Sequence, residues 1–137
     1  MSNELTYLID DDYLTLRLTT MLANRISFSS SLESFSNAKI ALELLQKNAT
    51  NHHDLPNCIL LDINMPLMNG WEFLDALKQL NIQKDIFVFI MTSSIEFSDI
   101  EKAKKYANVK NYIEKPISIE KLEAIKHFIA ISKKPKK

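Results

Sequence analysis

Glycine occurs once in this chain, at Gly70. Neither a glycine-rich dinucleotide loop nor a P-loop can be written with a single glycine, so both kinds of phosphate cradle are excluded. Cysteine also occurs once, at Cys58. That rules out an internal disulfide and a cysteine-rich zinc site, and a buried strand position is the expectation for it. No apolar run approaches the ~18 residues that span a bilayer. The opening Met1-Ser2-Asn3-Glu4 lacks the basic stretch and apolar core of a signal peptide. Net charge is missing too, because 17 basic residues balance 17 acidic ones. General nucleic-acid binding needs a basic excess. Neither nucleic acid nor membrane is therefore expected as a partner, and a cytoplasmic location is. Residues 1–132 read as one domain, with Lys133-Lys134-Pro135-Lys136-Lys137 as a solvated basic tail.

What is present is an alternation of apolar runs and helical repeats. Leu5–Ile9 reads as a strand, followed by a helix over Tyr13–Asn24 with Leu14, Leu18, Met21 and Leu22 at helical spacing. A second strand is placed at Ser31–Phe35. A second helix with Ala38, Ala41, Leu42 and Leu45 runs to about Asn48. Thr50–Pro56 reads as a polar loop, in which adjacent His52 and His53 are solvated rather than paired on a metal. A third strand, Cys58–Leu61, precedes a helix opened by Gly70 with Trp71, Leu74, Leu77 and Leu80 on its face. Ile86–Met91 is a fourth strand. A more polar helix marked by Ile100, Ala103 and Ala107 follows, then a fifth strand at Val109–Ile113. The last helix is capped by Ser118 and carries Ile119, Leu122, Ile125, Phe128 and Ile129. Continuous apolar strands alternating with helices predict an α/β fold with a parallel sheet covered on both faces.

In a parallel sheet the carboxyl ends of all strands share one edge. Asp10, Asp11 and Asp12 end the first strand, Asp62 the third, Thr92 and Ser93 the fourth, and Lys115 follows the fifth. Strand order 2-1-3-4-5 would make strands one and three neighbours at the topological switch point, where such folds bind ligands. Asp10, Asp11 and Asp62 would then form a carboxylate cluster that repels itself and calls for a cation. All-oxygen ligands favour a hard ion, and Mg2+ fits best. A carboxylate can be a phosphoryl acceptor, with Lys115 and Thr92 available to the transferred oxygens. Asp12 is expected to cap the first helix instead.

These pieces resemble the receiver domain of bacterial two-component response regulators, of the CheY-like, single-domain kind. The resemblance rests on Leu8-Ile9-Asp10-Asp11-Asp12, Leu60-Leu61-Asp62-Ile63-Asn64-Met65-Pro66-Leu67-Met68-Asn69-Gly70, Ile90-Met91-Thr92-Ser93 and Tyr112-Ile113-Glu114-Lys115-Pro116, in that order along nearly the whole chain. It implies a flavodoxin-like (βα)5 fold and a signalling module that catalyses only its own phosphorylation and dephosphorylation. It implies that Asp62 is the phospho-acceptor and that Asp10, Asp11, Asp62 and the backbone carbonyl of Asn64 hold Mg2+. Thr92 and Lys115 would bind the phosphoryl group. Thr92 and Tyr112 would form a switch, and Lys115–Pro116 would be cis. The implied partners are a histidine kinase or histidine phosphotransfer protein and a downstream protein target, with the chain a monomer or weak homodimer and no output domain after the last helix. Asn111, where many receivers have glycine, and the long Thr50–Pro56 loop depart from the pattern. A haloacid-dehalogenase-type phosphatase would need a second aspartate at Asn64. A flavodoxin would need a hydroxyl-rich phosphate loop in place of Asp10–Asp12. A receiver-like module that has lost phosphorylation would not need the five matching polar residues.

Overall fold

Ten elements alternate along residues 4–132, the part of the chain that the computed structural model describes. They are β1 (Leu5–Ile9), α1 (Tyr13–Arg25), β2 (Ser31–Phe35), α2 (Ala38–Lys47), β3 (Cys58–Asp62), α3 (Gly70–Gln79), β4 (Phe87–Thr92), α4 (Phe97–Ala103), β5 (Val109–Glu114) and α5 (Ile119–Ser132). The basic tail 133–137 and the first three residues lie outside the described residues. The five strands form one parallel sheet in the order β2-β1-β3-β4-β5, the flavodoxin-like arrangement expected. No helix among the described residues is long and apolar enough to cross a membrane.

Strand pleating sends alternate residues to opposite faces. Ile59 and Leu61 of β3 join Tyr7 and Ile9 of β1 under Ala41, Leu45, Leu74 and Leu77 of α2 and α3. Cys58 and Leu60 join Leu8, Phe89 and Met91 under Leu16, Ala23, Leu122 and Ile125 of α1 and α5. Every residue of β3 is buried, so its sequence shows a continuous apolar run rather than an alternation.

The structure corrects several sequence expectations. The apolar repeat of α1 is real, but Leu14, Leu18 and Met21 are exposed. The face on the sheet is Leu16, Thr19 and Ala23, whose small members let the helix approach closely. Helix α4 starts at Phe97 and ends at Ala103, so Ala107 falls in the following turn. The loop 50–56 is not wholly polar: it contains a 3-10 turn at His52–Asp54 and then Leu55, fully buried in the core. Lys84 closes that loop by donating from Nζ to the carbonyls of His52 and Leu55, each at 2.9 Å. Phe73 adds to the buried face of α3, and Leu80 just past its last turn packs partly buried against the same core. Asn111 lies within β5 beside an irregularity in its pairing with β4.

Asn69 and Glu72 close a reciprocal capping box at the start of α3, the helix that follows the Asp62 loop. The Glu72 amide donates to Asn69 Oδ1 and the Asn69 amide donates to Glu72 Oε1, both at 2.9 Å. Removing a cap side chain costs about 1 kcal/mol. Asn69→Ala is expected to lower stability by about that amount in urea unfolding; an unchanged midpoint would show that the box contributes nothing.

Candidate functional site

Register brings the polar strand ends together. Ile9 pairs with Leu61 across β1 and β3, Asp62 pairs with Met91, and Thr92 pairs with Glu114. Asp10, Asp62, Thr92 and Lys115 therefore emerge side by side at one sheet edge. Asp10 is fully buried, Asp62 is 4% exposed, and Asp11 is open to solvent. Their carboxylates each offer an oxygen within 4.8 Å of the others. Lys115 Nζ lies 2.6 Å from Asp10 Oδ2 and 3.7 Å from Asp62 Oδ2. Its ion pair with Asp10 supplies the neighbour for an oxygen that has no conventional hydrogen bond. The other Asp10 oxygen accepts from the Asp12 amide at 2.8 Å.

The electrostatics follow from that packing. Burial raises Asp62 from the usual 3.8 to about 6; the charges of Asp10 and Asp11 add to the rise, and the Asn64 amide and Lys115 oppose it. Burial pulls Lys115 down, but its close contact with Asp10 and the charges of Asp10, Asp62 and Asp12 outweigh that, so its pKa is raised. One ammonium cannot balance three carboxylates. Clustered, partly buried carboxylate oxygens with no nitrogen or sulfur donor suit a hard divalent cation.

The neighbouring positions are arranged as follows. Asp12 caps α1, accepting from the Leu14 amide at 3.2 Å and from Thr15 Oγ1 at 2.7 Å. It is not among the clustered carboxylates. The Asn64 amide donates to Asp62 Oδ1 at 3.1 Å, which fixes one carboxylate oxygen and starts the turn after β3. Thr92 Oγ1 donates to the Ser94 carbonyl at 2.9 Å, so its hydroxyl is directed into the loop before α4. Ser94 in turn donates to Glu96 at 3.0 Å. The Tyr112 hydroxyl donates to the Ile100 carbonyl of α4 at 3.2 Å, and its ring packs against Ile63, Ile90 and Ala103. The Lys115–Pro116 bond is cis. His52 and His53 are exposed in their 3-10 turn and, among the described residues, belong to no cluster able to hold a metal.

Gly70 does more than open α3 and end the turn after Asp62, because it packs against the backbone that leaves β3. Its amide donates to the Ile63 carbonyl at 3.1 Å. A Cβ there would lie 2.7 Å from Ile63 Cα and 2.9 Å from the Asp62 carbonyl oxygen. The signal was available: the one glycine of the chain stands eight residues after the key aspartate.

The response regulator receiver domain family matches residues 7–126. The chain is 30% identical to the "Probable methanogenesis regulatory protein FilR2" of Methanothrix harundinacea over 85% of its own length and 74% of that protein. It is 28% identical to the sporulation initiation phosphotransferase F of Bacillus subtilis, over 96% of this chain and 98% of that one. A solved two-component response regulator from Cytophaga hutchinsonii superposes with a TM-score of 0.80 at 26% identity, covering 96% and 99% of the two chains. The chain belongs to the response regulator receiver domain family, whose members are two-component signalling modules rather than conventional enzymes.

Proposed function

We propose that this receiver domain accepts a phosphoryl group on Asp62 from a phosphohistidine of a partner kinase or phosphotransfer protein, with Mg2+ bound by Asp10, Asp11, Asp62 and the Asn64 carbonyl. The observation that carries this reading is a buried carboxylate, Asp62, with two further carboxylates within 4.8 Å and an ammonium at 3.7 Å. An Asp62 oxygen attacks phosphorus, the P–N bond to the donor imidazole breaks, and that nitrogen leaves with the electron pair. Lys115 swings from Asp10 toward the transferred oxygens, and Thr92 exchanges its bond to the Ser94 carbonyl for one to a phosphoryl oxygen. When bound, Mg2+ neutralises charge between the carboxylates and the incoming group. Release of Ser94, together with movement of Tyr112, is the change that a downstream protein reads.

The test is incubation with acetyl phosphate, with and without Mg2+, followed by intact mass and mapping of the modified residue. One phosphoryl group on Asp62, gained only with Mg2+, is expected. No gain, gain independent of Mg2+, or modification elsewhere overturns the reading.

A thermodynamic prediction accompanies it. The cation must displace any proton on Asp62, whose pKa is raised to about 6. Mg2+ is therefore expected to raise the melting temperature more at about pH 7.5 than at about pH 5. Equal stabilisation at both pH values would remove Asp62 from the metal site.

A further inference from the structure

We propose that Tyr106, acting with Asp75 and Trp71, positions α4 and so sets how readily Thr92 turns toward Asp62. This rests on the phosphoryl-acceptor reading above. Helix α4 is weakly anchored: it has seven residues and no side-chain cap at its N-terminus, and Ala103 is its one buried residue. What ties its far end to α3 is a side-chain bridge. The Tyr106 hydroxyl donates to Asp75 Oδ1 at 2.7 Å. The Tyr106 ring stacks on Trp71 with centroids 5.9 Å apart. Lys102 of α4 places its ammonium 5.2 Å from the centre of the Trp71 ring, a favourable cation–π arrangement. Burial and Asp75 push the Tyr106 phenol up to about 12, so the bridge stays a neutral donor to a carboxylate.

The bridge reaches the site through contiguous packing. Trp71 follows Gly70, which lies against the backbone of Asp62 and Ile63. Trp71 packs into the cluster of Ile63, Ile90 and Ala103 that also receives Tyr112. At the near end of α4, the Ser94 carbonyl holds the Thr92 hydroxyl. Turning Thr92 toward a phosphoryl group frees the Ser94 carbonyl and lets the start of α4 move. A bridge that pins the other end of the helix opposes that movement.

The discriminating variant is Tyr106→Phe, which keeps the stacked ring and removes the bond to Asp75. Loss of one such bond corresponds to roughly fivefold in a local opening equilibrium. In the unphosphorylated protein, amide exchange over residues 97–103 is expected to speed up by about that factor while β1 and β3 are unchanged. Unchanged exchange in α4, or an equal rise everywhere, overturns the bridge regardless of any chemistry at Asp62. With acetyl phosphate and Mg2+, Tyr106→Phe is expected to take up the phosphoryl group roughly two- to fivefold faster than wild type, whereas simple damage would slow it. Uptake in wild type at a rate the variant does not exceed overturns the link to Thr92 while leaving the acceptor reading intact. Asp75→Asn keeps an acceptor oxygen and is expected to behave as wild type; Asp75→Ala is expected to match Tyr106→Phe. Trp71 is the only tryptophan, so its emission in unphosphorylated Tyr106→Phe is expected to shift toward that of phosphorylated wild type; a shift in the opposite direction counts against the proposal.

Discussion

Asp62→Asn is expected to take up no phosphoryl group from acetyl phosphate and to melt at a higher temperature than wild type above pH 6. The first effect follows from chemistry, because a carboxamide lacks the anionic oxygen that attacks phosphorus. The second follows from linkage. The folded-state pKa of Asp62, about 6, lies above the usual 3.8, so the folded chain binds this proton more tightly than the unfolded chain. Stability from this group is greatest below about pH 3.8, falls as pH rises through that window, and stays reduced above about 6. At roughly 1.4 kcal/mol per pH unit the penalty approaches ~3 kcal/mol. The variant also forfeits the Lys115 contact at 3.7 Å, which offsets part of the gain, while Lys115 keeps its shorter contact with Asp10. A rise of about 5 °C near pH 7.5 is expected, shrinking to nothing near pH 4. Melting curves across that range without Mg2+ check it. A variant less stable than wild type at pH 7.5 would mean that the Asp62 charge is a net favourable part of the fold.

Gly70→Ala is expected to be destabilised by roughly 2 kcal/mol or more, in opposition to helix propensity. Alanine is favoured over glycine inside a helix by about 1 kcal/mol. That preference is outweighed here, because the new Cβ would meet Ile63 Cα at 2.7 Å and the Asp62 carbonyl oxygen at 2.9 Å. Both are backbone atoms, which cannot swing aside as a side-chain tip can. Overpacking of a tight site costs about 1–3 kcal/mol and sometimes more. The shift needed to relieve it also lengthens the Gly70–Ile63 backbone bond and displaces the turn that carries Asn64. Urea unfolding of wild type and variant measures this, and a variant as stable as wild type would show that the turn relaxes freely. Asn69→Ala changes the adjacent position without steric overlap, so its smaller expected loss is the scale for comparison.

The parallel sheet was legible because β3 and β4 are unbroken apolar runs ending in a polar residue and β1 is nearly so, while the strand order came with the family resemblance. That pattern requires burial on both faces and exit at a common edge, and Asp10, Asp11, Asp62 and Lys115 do converge there. Periodicity was less informative about which way a helix faces. In α1 three of the four residues that mark the repeat, Leu14, Leu18 and Met21, are exposed, while the sheet takes Leu16, Thr19 and Ala23 with Leu22 packed beside them. Close approach to the sheet favoured small side chains, and a hydrophobicity count ranks these last. Leu55 was hidden by its polar neighbours, and α4 by its few apolar residues. Side-chain links such as Tyr106 to Asp75 join positions 31 residues apart. No local spacing rule anticipates them, since they depend on how two helices are set against the sheet.

The ion pair between Lys115 and Asp10 has a consequence for the chain as it is made. Its partners directly follow the first and last strands, so the carboxylates gain this counter-charge only when β5 docks beside β4. A nascent chain that has paired β1 with β3 but not yet released its final strand would bring Asp10 and Asp62 together without that ammonium. β5 pairs only with β4, its near neighbour in sequence, so the ammonium arrives with the last strand of the sheet. Completion of the charge cluster therefore waits on docking of the fifth strand, ahead only of α5, whose Leu122 and Ile125 close the core beside it.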